Sequence, residues 1–185
     1  ECPMKCYWAR ASDLLLPADI RWKEFNQENY DRIKNKDDIS ALMDATIVGE
    51  KPQFLIELDL NGLCNSYYGG SNSVLKGNMK NIWVDCYGNN TDGWQLYMRE
   101  NNSNAWTKWA EGKQEYLYNN SNSTYPYTTD NKVYILLAAL EPTNPTTPSK
   151  LYLDYIDIKL KINRQPDKMQ PMEMELGEEW SLLFK

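Results

Sequence analysis

Apolar and polar residues alternate along four segments of this 185-residue chain. These segments are residues 53–60, 82–86, 94–100 and 151–162. Successive side chains of a strand point to opposite faces, so this period of two predicts strands with one buried face. Residues 133–140 are apolar on both parities, which predicts a central strand covered on both faces. Shorter strands are predicted at 6–11 and, at a sheet edge, at 180–184.

The alternation changes parity inside residues 150–162. Leu151 and Leu153 carry one apolar parity, whereas Ile156 begins the other. A β-bulge inserts one extra residue and turns the side chains over, so we predict a bulge near Asp154. Aspartate is depleted in strands, and a bound calcium ion with oxygen ligands would account for it here. The alternative is that Asp154 hydrogen-bonds a neighbouring loop.

The first 50 residues show a mixed pattern. Ser12 is placed to cap a helical turn at 14–16, and 37–45 has acidic residues before an apolar stripe, which predicts a helix. Residues 26–38 are charged and are predicted to form a solvated surface loop. We therefore expect short helical elaborations in this part of the chain.

Composition narrows the chemistry. The formal net charge of −6 argues against a nucleic-acid partner, which requires a clustered basic surface. The chain has no histidine, and this excludes Ser-His-Asp and Cys-His catalysis and histidine-ligated zinc. No apolar run reaches the length of about 18 residues that a membrane-spanning helix requires, so no membrane span is expected. Thirteen tyrosines and seven tryptophans against three phenylalanines suit both strands and wet binding surfaces.

The four cysteines are Cys2, Cys6, Cys64 and Cys86. Their spacing matches neither a zinc ribbon nor a redox motif, and an even number fits an oxidising compartment. Three disulfide pairings are possible, of which Cys64–Cys86 with Cys2–Cys6 is preferred; buried free thiols are the alternative. An extracellular or cell-surface location is therefore expected.

Strands at short intervals, polar turns and the absence of long helices predict an all-β, antiparallel β-sandwich. One domain is expected over residues 1–185, with an N-terminal elaboration at 1–50, a sandwich core at 53–162 and a C-terminal extension at 163–185. A monomer is expected.

The order of GWQLYMRENN, WTKW, KVYILLAAL, a proline-rich loop and LYLDYIDIKLKI resembles the second half of carbohydrate-binding modules with a galactose-binding-like fold. The resemblance covers residues 53–162 as a pattern. It implies a jelly-roll sandwich, polysaccharide binding and an acidic residue of the closing strand that helps bind a structural calcium ion. Such a module would be part of a secreted carbohydrate-active protein.

Three functions compete at this point. The first is non-catalytic binding of a polysaccharide or glycan, whose apolar C–H faces stack on Trp and Tyr rings. The second is a small jelly-roll glycoside hydrolase, which requires two carboxylates across a cleft. The carboxylates available for it are Glu57, Glu100, Glu111 and Glu115. The third is a cell-surface adhesion or protein-interaction domain.

Residues 101–130 contain six aromatic rings among polar residues and only one leucine, so they cannot easily form a core of their own. Glycan binding by solvent-facing rings from this region and the preceding strand is therefore the preferred interpretation. The expected ligand-binding residues are Gln95, Tyr97, Arg99, Trp106, Trp109, Tyr116 and Tyr118. Trp94 shares its parity with Leu96 and Met98 and is assigned to the core.

Overall fold

The described residues form a sandwich of two antiparallel β-sheets with one short helix. The computed structural model describes residues 4–35, 37, 39–59, 75–89, 93–99, 105–112, 116–119, 128–129, 132–164 and 180–181. The all-β sandwich predicted from the alternating segments is confirmed.

Strands and one helix follow one another along the described part of the chain. They are β1 (Met4–Ala11), β2 (Lys23–Glu24), α1 (Gln27–Arg32), β3 (Ala41–Ala45), β4 (Lys51–Asp59), β5 (Leu75–Asn89), β6 (Trp94–Arg99), β7 (Trp106–Gly112), β8 (Tyr116–Asn119), β9 (Thr128–Thr129), β10 (Lys132–Ala139), β11 (Ser149–Arg164) and β12 (Trp180–Ser181). Every predicted strand has a counterpart here, with β5 and β11 longer than their alternating segments.

Sheet A has the strand order β2-β1-β4-β10-β6-β7, with β9 beside β10. Sheet B has the order β12-β11-β5-β8, with β3 beside β11. The chain passes repeatedly from one sheet to the other, because β3, β5, β8 and β11 interrupt the strands of sheet A. Connections of this kind are those of double-sheet sandwiches such as jelly rolls.

The core lies between the sheets. Phe54, Ile56 and Leu58 of β4 share one parity and contribute to it together with Leu96 of β6 and Leu151 of β11. The central strands β4 and β10 are also buried on their other face around Gln53, Leu55, Leu136 and Ala138. The prediction that residues 133–140 form a doubly covered strand is therefore confirmed.

The predicted parity change in β11 is present. Leu153 pairs with Cys86 and Tyr155 pairs with Asp85, so that Asp154 is the extra residue of a bulge. Because of this insertion, Leu153 and Ile156 both face the core although their parities differ. Asp154 itself is buried.

Trp94 is fully buried, as its parity predicts. Gly112 of β7 lies opposite Trp94 in the sheet. A Cβ atom at position 112 would lie 2.6 Å from an indole carbon, so glycine leaves the space that the ring occupies.

The N-terminal part of the chain corrects three predictions. Residues 37–45 do not form a helix, since Ala41–Ala45 is strand β3, with Ala41, Met43 and Ala45 buried and Leu42 exposed. The only helix in the described residues lies within 26–38, which was predicted to be a loop. It begins after Asn26, whose side chain accepts a hydrogen bond from the Asn29 amide.

The segment predicted to be a helical turn at 14–16 is irregular. The first 45 residues nevertheless contribute β1 and β2 to sheet A and β3 to sheet B. The part of the chain that was predicted to be an elaboration therefore supplies strands to both sheets.

Candidate functional site

The outer face of sheet A carries aromatic side chains in cross-strand register. The longest row consists of Glu24, Tyr7, Leu55, Leu136, Tyr97 and Lys108. The next row contains Lys5, Glu57 and Tyr134, and the pair Arg99 and Trp106 lies beyond it on β6 and β7. We call Tyr7, Tyr97, Tyr134, Trp106, Glu57 and Lys132 the tyrosine face.

Parity explains why these rings lie outside the core. Tyr7 follows the core residue Cys6, and Tyr134 precedes the core residue Ile135. Successive strand residues face opposite sides, so both tyrosines project away from the space between the sheets. Tyr7, Tyr97, Tyr134 and Trp106 are all half-buried, and each therefore keeps part of its ring accessible.

Residues 12–22, which we call the covering loop, cross this face. Leu15 is the central contact: its N–H donates to Gln53 Oε1 on β4 at 3.2 Å, and its carbonyl oxygen accepts from Trp106 Nε1 on β7 at 3.1 Å. Strands β10 and β6 lie between β4 and β7, so the loop spans them. Leu15 also packs with Ala9 and Ala11 on the same face. The covering loop thus closes one side of the tyrosine face.

Polar side chains beside the rings form two connected groups. In the first, Tyr97 Oη donates to Gln95 Oε1 at 2.6 Å, and Gln95 Nε2 donates to Glu111 Oε2 at 3.1 Å. Lys108 Nζ binds the same Glu111 oxygen at 3.2 Å. In the second group, Lys132 Nζ binds Glu57 Oε1 at 2.7 Å. The rings are therefore bordered by an amide and two ion pairs.

The ionisable groups of the face respond to these contacts. Burial, with smaller contributions from Glu57 and Glu24, raises the pKa of Tyr7 to about 12. Burial also raises the pKa of Tyr97. The hydrogen bond from Gln95, together with Lys108, lowers the pKa of Glu111. The hydroxyls of Tyr7 and Tyr97 are consequently protonated, and Glu111 is ionised, at neutral pH.

Four of the seven residues predicted from the sequence lie together on this face. Gln95, Tyr97 and Arg99 share the outward parity of β6, and Trp106 pairs with Arg99. The other three lie elsewhere.

Trp109 does not share a surface with Trp106, although the sequence suggested that both could reach one. It lies at a register shift in β7 and packs against the core between the sheets. Tyr116 and Tyr118 belong to β8 of sheet B, where they pair with Val84 and Ile82. The predicted cluster is therefore divided between two sheets.

Sequence reasoning missed Tyr7, Tyr134 and Lys132. Tyr134 lies in a segment whose other residues are mostly apolar, and Tyr7 lies outside the aromatic region at 101–130. Their outward parity was available as a signal once Cys6 and Ile135 were assigned to the core. What the sequence could not supply was the strand order that places β1, β10 and β6 in one sheet.

Asp154 was predicted to bind a calcium ion, and the cysteines were predicted to form disulfide bonds. Asp154 is buried at the bulge of β11. In the part of the chain that the structure describes, no three Asp, Glu, Cys or His residues form a group that could hold a metal ion. Cys6 is buried, whereas Cys2 and Cys64 lie outside the described residues. The calcium ion and both disulfide bonds stay predictions.

The sequence matches no protein-family model, and no curated protein is significantly similar to it. The resemblance to carbohydrate-binding modules accordingly rests on the sequence pattern alone. Within the described ranges, the chain contains no helix that is long and apolar enough to cross a membrane.

Proposed function

We propose that this protein binds a polysaccharide or glycan without cleaving it, and that the tyrosine face of sheet A is the binding surface. The observation that carries the proposal is the set of half-buried rings Tyr7, Tyr97, Tyr134 and Trp106, which lie on this face around the fully buried Leu55 and Leu136. An extracellular location and a structural calcium ion belong to the same proposal.

Sugar rings match such a surface for two reasons. Their C–H faces pack against aromatic rings, and their hydroxyl groups exchange hydrogen bonds with amides, carboxylates and tyrosine hydroxyls. The rings project from paired strands, and Trp106 is further fixed by its bond to Leu15. A binding surface on rigid elements loses little conformational entropy when a ligand binds.

The described carboxylates support the non-catalytic form of the proposal. Of the four glutamates considered for hydrolysis, Glu57 and Glu111 lie in described strands. They are on β4 and β7, with two strands between them, so their backbones are at least about 14 Å apart at about 4.8 Å per strand spacing. A retaining pair requires about 5–5.5 Å and an inverting pair about 6.5–9.5 Å. The lowered pKa of Glu111 is also opposite to that of a general acid.

The test compares single alanine variants of Tyr97, Tyr134 and Trp106 with the wild type. Affinity electrophoresis and titration calorimetry against soluble β-glucans, xylans, mannans and pectins measure binding. Loss of one stacking ring should weaken binding by about 1–3 kcal/mol, as for aromatic residues at interfaces. An assay for released reducing sugar should show no turnover.

Tyr152→Ala is the matched control. Tyr152 is a half-buried tyrosine of β11 that pairs with the exposed Leu42, so it lies on the outer face of the other sheet. This variant should bind as the wild type does, and thermal melting of every variant verifies that it is folded. The proposal fails if the wild type binds no glycan, or if the folded tyrosine-face variants all bind like the wild type.

A further inference from the structure

Charged residues of both signs are interleaved on the outer face of sheet A. Among the described strand residues of this face, the cations are Lys5, Lys51, Arg99, Lys108 and Lys132, and the anions are Glu24, Glu57, Asp59 and Glu111. The register alternates them: Lys5 lies opposite Glu57, and Lys132 lies opposite Asp59. The face therefore presents no patch of a single sign.

The two lysines nearest the rings are already bound. Lys132 holds Glu57 at 2.7 Å, with 36% and 16% of the two side chains exposed. Lys108 holds Glu111 at 3.2 Å, and Gln95 occupies the same carboxylate oxygen. At either of these two lysines, a ligand carboxylate or sulfate would have to displace the present partner, or lie beside Glu57 or Glu111. Either arrangement is unfavourable for an anion.

We infer that the ligand class of the tyrosine face is a neutral polysaccharide, and that uronate-containing or sulfated chains are excluded. This inference rests on the proposed function. The ion pairs offer N–H donors and carboxylate acceptors to sugar hydroxyls. Because the opposite charges of each pair largely cancel, they produce little net electrostatic attraction for a charged ligand. The net charge of −6 acts in the same direction, because it repels polyanions at long range.

The protonation state of Tyr7 agrees with a neutral ligand. Because burial and the nearby Glu57 and Glu24 keep the pKa of Tyr7 at about 12, its hydroxyl is a donor throughout the neutral range. The same carboxylates make the surroundings of Tyr7 unfavourable for a second negative charge. A hydroxyl group of a neutral sugar accepts a hydrogen bond there without this penalty.

The experiment titrates the protein with β-glucan, xylan and mannan and, in parallel, with polygalacturonate and alginate. Each titration is made at about 20 mM and about 500 mM NaCl, which lie on either side of the range where salt screens surface charges. A neutral polysaccharide should bind with an affinity that changes less than about twofold with salt, because no counterions are released. The anionic chains should bind at least tenfold more weakly.

A charge variant sharpens the test. Glu57→Gln removes the partner of Lys132, so binding of polygalacturonate at low salt should rise by roughly two- to fivefold. Asp31→Asn is the matched control. It removes a carboxylate of α1 that binds Lys34 at the same distance of 2.7 Å, away from the tyrosine face. That control should leave the preference unchanged.

The outcomes separate this inference from the proposed function. Equal or tighter binding of anionic chains, falling steeply with salt, overturns the inference while glycan binding stands. An unchanged affinity of Glu57→Gln for polygalacturonate also overturns it. If none of the glycans binds, the proposed function and the inference are both overturned.

Discussion

Gln53 shows how a single side chain can fix a loop on a sheet. Its amide lies on the outer face of β4, accepts from the Leu15 N–H at 3.2 Å and donates to the Asp13 carbonyl at 2.6 Å. A primary amide carries both a donor and an acceptor, so it pairs with the loop backbone as a neighbouring strand would. Gln53 is fully buried, although its parity in the sequence matches that of the polar residues Glu57 and Asp59.

Replacing Gln53 with methionine should destabilise the protein by about 1–3 kcal/mol, because buried backbone groups of the covering loop lose their partners while the volume is kept. Urea unfolding measures this as a lower midpoint with an unchanged slope. Gln27→Met is the control: this amide binds Asp31 on the exposed surface of α1, and its loss should change stability by less than about 0.5 kcal/mol. Equal effects of the two substitutions would contradict the assigned role of Gln53.

The burial of Gln53 also marks what the sequence could not predict at this scale. The loop atoms that it binds are 38 and 40 residues away along the chain. Alternation predicts on which side of a strand a residue lies, but it does not reveal what covers that side. The same limit applies to Trp106, whose indole N–H binds Leu15 from 91 residues away.

At the scale of whole elements, strands with strict alternation were predictable and short mixed segments were not. The period of two predicts β4, β6 and β11, and an apolar run on both parities predicts β10. In β3, a stripe at helical spacing competed with the alternation of Ala41, Met43 and Ala45. Pairing with Leu151 and Leu153 of β11 stabilises the strand conformation, because tertiary pairing overrides a weak local preference.

The bulge in β11 leads to a prediction about calcium. Asp154 is buried at the bulge, and an ion there would take further ligands from backbone carbonyl oxygens or from residues outside the described part of the chain. Calcium at a concentration of about 100 times its Kd raises the free energy of unfolding by about 2.7 kcal/mol. Since 1 kcal/mol corresponds to about 2–4 °C in a domain of this size, chelation should lower Tm by roughly 5–10 °C.

Differential scanning calorimetry with excess chelator, followed by added calcium, measures this shift. Asp154→Asn should melt at a temperature that responds to neither reagent. If chelation leaves Tm unchanged and metal analysis finds no stoichiometric calcium, the bulge exists without a metal ion. Hydrogen bonding within the protein would then account for an aspartate at position 154.

At the scale of the whole molecule, the candidate surface is a product of strand order. Tyr7, Tyr134 and Tyr97 come from β1, β10 and β6, which are neighbours or near neighbours in sheet A but are distant in sequence. The sequence predicted an aromatic surface and named Tyr97 and Trp106 in it. It grouped them with Tyr116 and Tyr118 because those residues are close along the chain, whereas the topology assigns β8 to the other sheet.

The tyrosines also determine how the molecule responds to alkaline pH. The pKa of Tyr7 is raised to about 12, mainly by burial, and burial also raises the pKa values of Tyr30 and Tyr97. In the unfolded chain a tyrosine ionises near pH 10. Between about pH 10 and 12 the unfolded chain therefore binds fewer protons than the folded protein, so the free energy of unfolding falls as pH rises. Below pH 10 this stabilisation is fully present.

Tyr7→Phe cannot ionise, so this variant should lose less stability than the wild type between about pH 10 and 12. Urea unfolding at a series of pH values measures the difference, and tyrosinate absorbance follows the ionisation directly. The same absorbance titration in concentrated urea is the control, since every tyrosine should then titrate near pH 10. An identical pH dependence in Tyr7→Phe and the wild type would mean that the Tyr7 hydroxyl is solvated. It would then not have the partly desolvated surroundings in which Glu57 and Glu24 act on it.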